Sequence, residues 1–142
     1  MKISEMETKQ HAIEQTGGIP FGGYVAAGFP SPASDYTEEN IDLNRELAPR
    51  PLSTFYFRTV NDSMIDAHIP PGAILVVDKS RQPQNYSVVV ASVDGEFLVK
   101  YFVRDREGLR LLPANKKYKP MCITEGMDFA IWGVVTAVVT KL

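Results

Sequence analysis

The chain has 142 residues, of which 44% are hydrophobic and 23% charged, and its formal net charge is −2. This composition suits one globular domain with a single core. A protein that holds nucleic acid by itself neutralises phosphates with a basic surface, so the charge argues against direct, sequence-specific DNA binding. The single cysteine, Cys122, cannot form an internal disulfide, which favours a reducing cytoplasm and predicts a small, partly buried side chain.

The amino-terminal residues are polar and predict a mobile arm. Residues 1–20 contain Gly17, Gly18 and Pro20 and have too little apolar periodicity to dock firmly. The sequence shows neither a secretory signal nor a membrane-spanning apolar run. We therefore expect a cytoplasmic protein without a membrane partner.

A run of small residues, Val25 to Gly28, comes next and is followed by Phe29 and two prolines, Pro30 and Pro32. Small side chains let an extended backbone approach a catalytic group closely, and glycine permits unusual dihedral angles. The prolines keep the following segment out of regular sheet or helix. On these residues alone, an ordinary glycine-rich linker is the simpler interpretation.

Residues 34–50 carry helix signals and link this run to the remainder of the chain. Asp35, with Glu38 three residues on, is typical of a helix start, and Pro49 and Pro51 end the pattern. A short strand followed by one or two helical turns is equally compatible with these residues.

From Leu52 onward, β-branched and aromatic runs bounded by Gly, Pro and Asp are typical of strands. The predicted strands are Thr54–Val60, Ala73–Val77, Tyr86–Val93, Glu96–Val103, Leu109–Leu112 and Phe129–Val139. The dipeptide Asp94-Gly95 is a hairpin signal that pairs the third and fourth strands antiparallel, and Arg106-Glu107-Gly108 turns the next hairpin. We therefore predict a mainly β fold, a compact and strongly bent β-domain with little helix.

Two residues carry candidate catalytic chemistry, Ser63 just after the first strand and Lys100 within the fourth. Asn61 and Asp62 are candidate caps for a short helical turn at the serine. Such a turn would place the hydroxyl beside backbone N–H groups that suit an oxyanion. Lys100 has apolar neighbours on both faces of its strand, so we expect it to be desolvated.

The size of the pKa shift decides whether Lys100 can act as a base at neutral pH. An unperturbed lysine, with a pKa of about 10.4, is neutral in roughly one molecule in 2,500 at pH 7. A drop of about 3.4 units makes it half-neutral, and full burial lowers lysine pKa values by up to ~3–5 units. A neutral amine within reach of Ser63 would accept its proton and make it a nucleophile. The alternative is a surface serine and a lysine whose stem packs along the strand while its amine stays in water.

Other catalytic schemes have less support. A Ser-His-Asp triad would use His68 with Asp62 or Asp66, yet His68 lies only five positions after Ser63 and no Gly-x-Ser-x-Gly elbow surrounds the serine. The sequence has no paired cysteines, His-Glu-x-x-His motif or phosphate-cradling glycine motif, so we expect no metal and no cofactor. We predict that His68 is a loop residue and that Asp62 and Asp66 are caps.

One basic cluster, residues 116–119, lies between Pro113 and Pro120 and includes Tyr118. We predict a solvated turn there. A contact with a partner or with DNA is the less favoured alternative.

The serine and lysine segments resemble a known family. Asn61-Asp62-Ser63-Met64-Ile65-Asp66 and Gly95-Glu96-Phe97-Leu98-Val99-Lys100 resemble the Ser-Lys self-cleaving peptidases related to the LexA repressor, peptidase family S24. Ala27-Gly28-Phe29-Pro30-Ser31-Pro32-Ala33 and Ile41-Asp42-Leu43-Asn44 are similar to its UmuD-type members. The resemblance runs from about Val25 to the carboxyl terminus. The family usually has glycine where this chain has Asn61. Asparagine tolerates the left-handed backbone region better than most residues, so we expect the turn to survive this difference.

The resemblance implies a fold of the LexA C-terminal peptidase type and a division of the chain into three parts. Residues 1–27 would be a mobile arm removed by self-cleavage at Ala27–Gly28, residues 28–51 a linker with a short helical segment, and residues 52–142 the peptidase β-domain. Ser63 would be the nucleophile and Lys100 the general base. The backbone N–H groups of Asp62 and Ser63 would stabilise the oxyanion.

The resemblance also implies partners. These are a second copy in a homodimer, a RecA–single-stranded DNA filament that stimulates cleavage in the SOS response, and a UmuC-type Y-family polymerase. The cleavage product would be an accessory subunit in error-prone translesion synthesis. Alternatives are a non-catalytic polymerase-binding module of the same fold and a LexA-like repressor fragment. We expect the repressor least, because residues 1–27 are too few for a helix-turn-helix domain.

Overall fold

The computed structural model describes residues 18–26 and 40–142. The predicted cleavage bond, Ala27–Gly28, and the predicted helix start at Asp35 lie outside the described residues, as does most of the predicted arm. These expectations therefore stay predictions.

The chain divides into two units, of which the first is Met1–Pro49. Among its described residues, strand β1 (Ile19–Pro20) pairs antiparallel with strand β2 (Asn40–Ile41), and helix α1 (Leu43–Leu47) follows. Asp42 caps α1, because its side chain accepts a 3.0 Å hydrogen bond from the backbone N–H of Asn44. Within residues 40–50, the described part of this stretch, a short strand is followed by a short helix, as in the second of the two predicted alternatives. No helix in the described part of the chain has the length and apolar character needed to span a membrane.

The second unit, Arg50–Leu142, has 3-10 turns at Pro51–Ser53 and Ile65–Ala67 and is otherwise built on strands and loops. The strands are β3 (Thr54–Arg58), β4 (Ile74–Asp78), β5 (Val88–Val93), β6 (Glu96–Asp105), β7 (Gly108–Leu112), β8 (Met121–Cys122) and β9 (Phe129–Val139). They form one sheet in the order β3-β4-β9-β5-β6-β7-β8, and each neighbouring pair is antiparallel. The prediction of a mainly β fold with little helix is confirmed.

All six predicted strands are present, with shifts at their ends. Strand β5 begins at Val88 instead of Tyr86, because Tyr86 has a φ of 68°, which a regular strand does not accommodate. Strand β8 was not predicted, since two residues after Pro120 are too short to show an alternating pattern.

The predicted hairpin between β5 and β6 is confirmed. Asp94 and Gly95 have φ angles of 48° and 86°, as a two-residue turn with two left-handed residues requires. This turn sets the register that pairs Val89 with Lys100. The next hairpin also turns where predicted, with Asp105 paired with Gly108.

The bend of the sheet comes from strand β9. Its pairing with β4 skips Thr136 and its pairing with β5 skips Trp132, so β9 carries one extra residue at each of two bulges. Bulges increase local twist and bend a strand. Between them, a side chain at Gly133 would place its Cβ 2.6 Å from Val77 Cγ1, so β4 and β9 meet closely only because this residue is glycine. The strongly bent sheet that we predicted is therefore confirmed.

Two buried clusters lie on opposite faces of this sheet, as shown by Val89 and Val90, adjacent residues of β5 that belong to different clusters. The first core consists of Met64, Ile69, Ala73, Leu75, Val77 and Val90. The second core consists of Val89, Ala91, Val93, Phe102, Leu111 and Val134.

The prediction of a partly buried Cys122 is wrong, because its side chain is exposed. Cys122 lies on β8, the last strand in the sheet order, which is paired on one side only within the described residues. An edge strand of two residues has little neighbouring structure to cover a side chain.

Candidate active site

Ser63 lies in the turn after β3, and its neighbour Met64 is packed in the first core. Each of these two residues is only 1% exposed. Backbone hydrogen bonds from Ile65 N–H to Asp62 O (3.2 Å) and from Ala67 N–H to Met64 O (3.0 Å) close the 3-10 turn that follows. The alternative of a surface serine is therefore wrong, because the anchored Met64 draws Ser63 into the protein.

The predicted capping roles of Asn61, Asp62 and Asp66 are also wrong. The 3-10 turn starts only after Met64, and no side chain caps it. Asn61 Oδ1 instead accepts a 3.1 Å hydrogen bond from the Ser63 backbone N–H. Asn61 is not among the described residues with positive φ, so its tolerance of left-handed backbone is not what preserves the turn.

Lys100 lies in the middle of β6, in the register set by the Asp94-Gly95 turn. Its Nζ is 2.5 Å from Ser63 Oγ. The structure therefore brings together the two side chains that the sequence analysis selected as nucleophile and base.

Burial lowers the pKa of Lys100, because a half-buried ammonium loses hydration that a neutral amine hardly needs. Within residues 18–26 and 40–142, no carboxylate lies within ion-pair distance of its Nζ to favour the charged form. A neutral Lys100 amine beside Ser63 Oγ is placed to accept the hydroxyl proton.

The loop between β7 and β8 clamps the backbone of the serine turn. Ala114 N–H donates to Ser63 O at 2.8 Å, and its carbonyl accepts from Asp66 N–H at 2.8 Å. Asn115 Nδ2 donates to Asp62 O at 2.9 Å. These bonds hold the turn from outside, independently of its own side chains.

Tyr118, in the same loop, bonds to Asp62, the neighbour of Ser63, and its ring lies near Lys100. Its hydroxyl donates a 2.5 Å hydrogen bond to Asp62 Oδ1, which lowers the pKa of Asp62 and raises the pKa of Tyr118. Its ring centroid is 5.9 Å from Lys100 Nζ. The sequence analysis missed Asn115 and Tyr118, because 53 and 56 residues separate them from Asp62. The one signal in the sequence was the position of Tyr118, an aromatic residue within the basic cluster.

A cleft opens beside Ser63 and Lys100. It is lined by Phe57, Arg58, Thr59, Val60, Asn61, Ser63, Leu75, Val90, Phe97, Leu98, Val99 and Lys100. Most of these side chains are apolar, and none is acidic. The cleft therefore suits an uncharged, apolar peptide segment.

The remaining candidates are His68 and the basic cluster that includes Tyr118. His68 is exposed at the end of the 3-10 turn with a φ of 60°, so the prediction of a loop residue is confirmed. The basic cluster of residues 116–119 is exposed, as predicted for a solvated turn. In the part of the chain that the structure describes, no group of three His, Cys, Asp or Glu residues is arranged to hold a metal ion.

Comparison with known proteins places this site in a family. Residues 20–136 match the family model described as Peptidase S24-like. Protein SamA of Salmonella typhimurium is 41% identical over 133 residues, which cover 94% of this chain and 91% of SamA. Protein ImpA of Escherichia coli is 38% identical over 122 residues, which cover 85% of this chain and 82% of ImpA.

Repressors are similar as well. The LexA repressor of Desulfatibacillum aliphaticivorans is 37% identical over 128 residues, which cover 89% of this chain but only 63% of the repressor. These similarities confirm the expected relationship to UmuD-type relatives of LexA, and they support a serine peptidase kind of activity. The chain belongs to the peptidase S24 family.

Proposed function

We propose that this chain is a self-cleaving serine peptidase whose Ser63 and Lys100 cut its own Ala27–Gly28 bond. The observation that carries the proposal is the 2.5 Å hydrogen bond between Lys100 Nζ and Ser63 Oγ. The lowered pKa of Lys100 and membership of the S24 family support it further.

The reaction follows from this geometry. Neutral Lys100 accepts the Ser63 proton while Oγ attacks the carbonyl carbon of Ala27. The N–H groups of Asp62 and Ser63 donate to the oxyanion that forms. The Lys100 ammonium then donates its proton to the nitrogen of Gly28, and the C–N bond breaks. A water molecule, deprotonated by Lys100, hydrolyses the Ala27 ester and restores the free serine.

The chemistry of the cleft supports this choice of substrate. The segment Val25–Pro30 contains no charged residue, and its side chains are small or apolar. Apolar side chains gain free energy on entering a mostly apolar cleft, whereas a positively charged side chain would lose hydration without an acidic partner. Gly28 leaves room for the close approach of Ser63.

We place this activity in the cytoplasm, in a homodimer that cleaves itself on a RecA–single-stranded DNA filament during the SOS response. The product then serves a UmuC-type Y-family polymerase in translesion synthesis. The UmuD-type resemblance and the similarity to SamA and ImpA support this setting. The peptide cleavage needs no cofactor, since the serine and lysine supply the nucleophile and the base.

Intact-mass measurement of the purified chain tests the proposal. After addition of RecA, ATP and single-stranded DNA, or at pH 9–10 without them, we expect fragments of residues 1–27 and 28–142. Ser63→Ala should abolish cleavage, and Lys100→Ala should slow it by roughly 10²–10⁴-fold, the usual contribution of a general base. Lys141→Ala removes an exposed lysine and should cleave like the parent. If Lys100→Ala cleaves as fast as the parent, the mechanism is wrong.

A second candidate function is a non-catalytic polymerase-binding module. The observation in its favour is the hydrogen bond by which Asn61 occupies the Ser63 N–H. A chain that stays intact at pH 10 and with activated RecA, yet binds the polymerase, would establish this function instead.

A further inference from the structure

The Ser63 N–H, one of the two backbone groups assigned to the oxyanion, already has a hydrogen-bond partner. Asn61 Oδ1 accepts from it at 3.1 Å, across two residues, as in an Asx turn. The Asn61 side chain also lines the cleft that contains Ser63 and Lys100. A polar acceptor thus occupies an N–H that the proposed mechanism assigns to the oxyanion.

We infer that Asn61 is a brake on self-cleavage, because its carboxamide competes with the oxyanion for the Ser63 N–H. This inference rests on the proposed function. A backbone N–H has one proton to donate, and an acceptor already bound to it must leave before the oxyanion receives a full hydrogen bond. The reaction at Ser63 therefore includes a rotation of the Asn61 side chain away from the N–H.

The turn does not depend on this carboxamide for its shape. Ala114 N–H holds Ser63 O at 2.8 Å, and Asn115 Nδ2 holds Asp62 O at 2.9 Å. Asn61 is exposed, and among the described residues its side chain makes only the bond to the Ser63 N–H. Removing the carboxamide therefore frees the N–H while the clamp from the neighbouring loop remains.

The expected size of the brake follows from the type of hydrogen bond. Breaking a neutral intramolecular hydrogen bond changes an equilibrium by about 2- to 12-fold. Complete loss of an oxyanion donor costs more, about 10²–10³-fold in rate. A displaceable carboxamide should therefore slow cleavage by the smaller factor, which leaves the chain active but slow.

Two substitutions of Asn61 should change the rate in opposite directions. Asn61→Ala frees the N–H and should speed cleavage by about 2- to 12-fold. Asn61→Asp retains an acceptor, and a charged acceptor bonds roughly twice as strongly, so cleavage should slow. The measurement is the cleavage rate of the full-length chain, by intact mass, between pH 7 and pH 10. Asn61→Ala should leave the midpoint of the pH profile unchanged, because one neutral side chain replaces another.

Asn61→Gly provides a second variant without the carboxamide and should also cleave faster than the parent. Thermal denaturation of each variant checks its folding. An NMR measurement of amide exchange provides a readout that does not depend on cleavage, since the Ser63 N–H should exchange faster in Asn61→Ala. Asp42→Ala is the matched control, because Asp42 Oδ1 accepts from Asn44 N–H at 3.0 Å across the same two-residue separation, at the start of α1.

The outcomes separate this inference from the proposed function. If the parent cleaves and neither Asn61→Ala nor Asn61→Gly is faster, or Asn61→Asp is not slower, the brake is wrong and the peptidase mechanism stands. If the parent stays intact and Asn61→Ala cleaves, the brake is supported in its strongest form. If neither chain cleaves at any pH, both the brake and the self-cleaving function are wrong.

Discussion

Lys100 is a residue at which catalysis and stability make opposite demands. Its half-buried position favours the neutral amine that the proposed mechanism needs, and no carboxylate of the described residues compensates the charged form. An ammonium at this position therefore costs folding free energy whenever the pH is low enough to keep it protonated. The burial that suits the lysine to act as the base of the proposed mechanism also makes it a destabilising residue near neutral pH.

The pH dependence of this cost can be measured. Because the pKa of Lys100 is lowered on folding, the unfolded chain binds more protons between the folded and the ordinary pKa, and stability rises with pH across that window. Lys100→Met, an uncharged side chain of similar length, should raise the free energy of unfolding at pH 7, and this gain should shrink towards pH 10.5. Urea denaturation at both pH values provides the measurement, with Ser63→Ala as a background that prevents cleavage. An equal gain at both pH values would show that packing, and not charge, is responsible.

At the scale of elements, the loop between β7 and β8 supports the site although it contributes neither of the reacting groups. It binds the backbone of the serine turn through Ala114 and Asn115, and it binds the Asp62 side chain through Tyr118. The hairpin of β5 and β6 positions Lys100 from the other side. Two separate elements therefore meet at the dyad, each placed by its own turn.

Tyr118→Phe tests the contribution of this loop. Loss of the hydroxyl removes the main cause of the lowered pKa of Asp62, so that pKa should rise towards its ordinary value, as measured by NMR titration. Cleavage should slow several-fold, because the serine turn loses one of its outer hydrogen bonds. The aromatic ring near Lys100 Nζ is kept, so the midpoint of the pH–rate profile should not move. Tyr56→Phe, which removes an exposed hydroxyl from β3, is the control. If the pKa of Asp62 stays low in Tyr118→Phe, the Tyr118 hydroxyl is not the cause of the lowered pKa.

Individual strands were predictable because each carries its own pattern of β-branched and aromatic residues and its own turn chemistry. The Asp94-Gly95 hairpin was predicted together with its register, because Asp followed by Gly is a common sequence for a two-residue turn. Both residues adopt the left-handed backbone that such a turn requires. Strand β8 was not predicted, because its pairing with β7 depends on a partner distant in sequence and not on a local pattern. The capping roles failed for a similar reason: the oxygens of Asn61 and Asp62 found partners other than the start of the 3-10 turn.

At the scale of the whole second unit, one sheet separates two cores, and the serine turn packs into the first of them. Met64 anchors the serine turn in the first core, and Leu111 lies in the second core on the other face. Both side chains are almost completely buried, at 1% and 0% exposed. The two cores should therefore contribute similarly to stability but differently to activity.

Met64→Ala and Leu111→Ala form a matched pair for this difference. Each should lower the free energy of unfolding by about 2–5 kcal/mol, the usual cost of truncating a buried Met or Leu. Per folded molecule, Met64→Ala should also slow cleavage, because the neighbouring Ser63 loses its anchor, whereas Leu111→Ala should cleave like the parent. Urea denaturation and intact-mass kinetics at a temperature where both variants stay folded give the two readouts. Equal loss of activity in the two variants would contradict the division of roles.

The sequence by itself determined the strand-rich fold and the hairpin that sets the register of Lys100, and it selected Ser63 and Lys100, the two side chains that the structure brings together. These features depend on local alternation, turn chemistry and a short motif, all of which are legible along the chain. Only the tertiary structure decided that Ser63 is buried, that the loop carrying Tyr118 clamps its turn, and that Asn61 occupies its N–H. Each of these is a choice among competing hydrogen-bond or packing partners, and that choice is made only when distant segments meet.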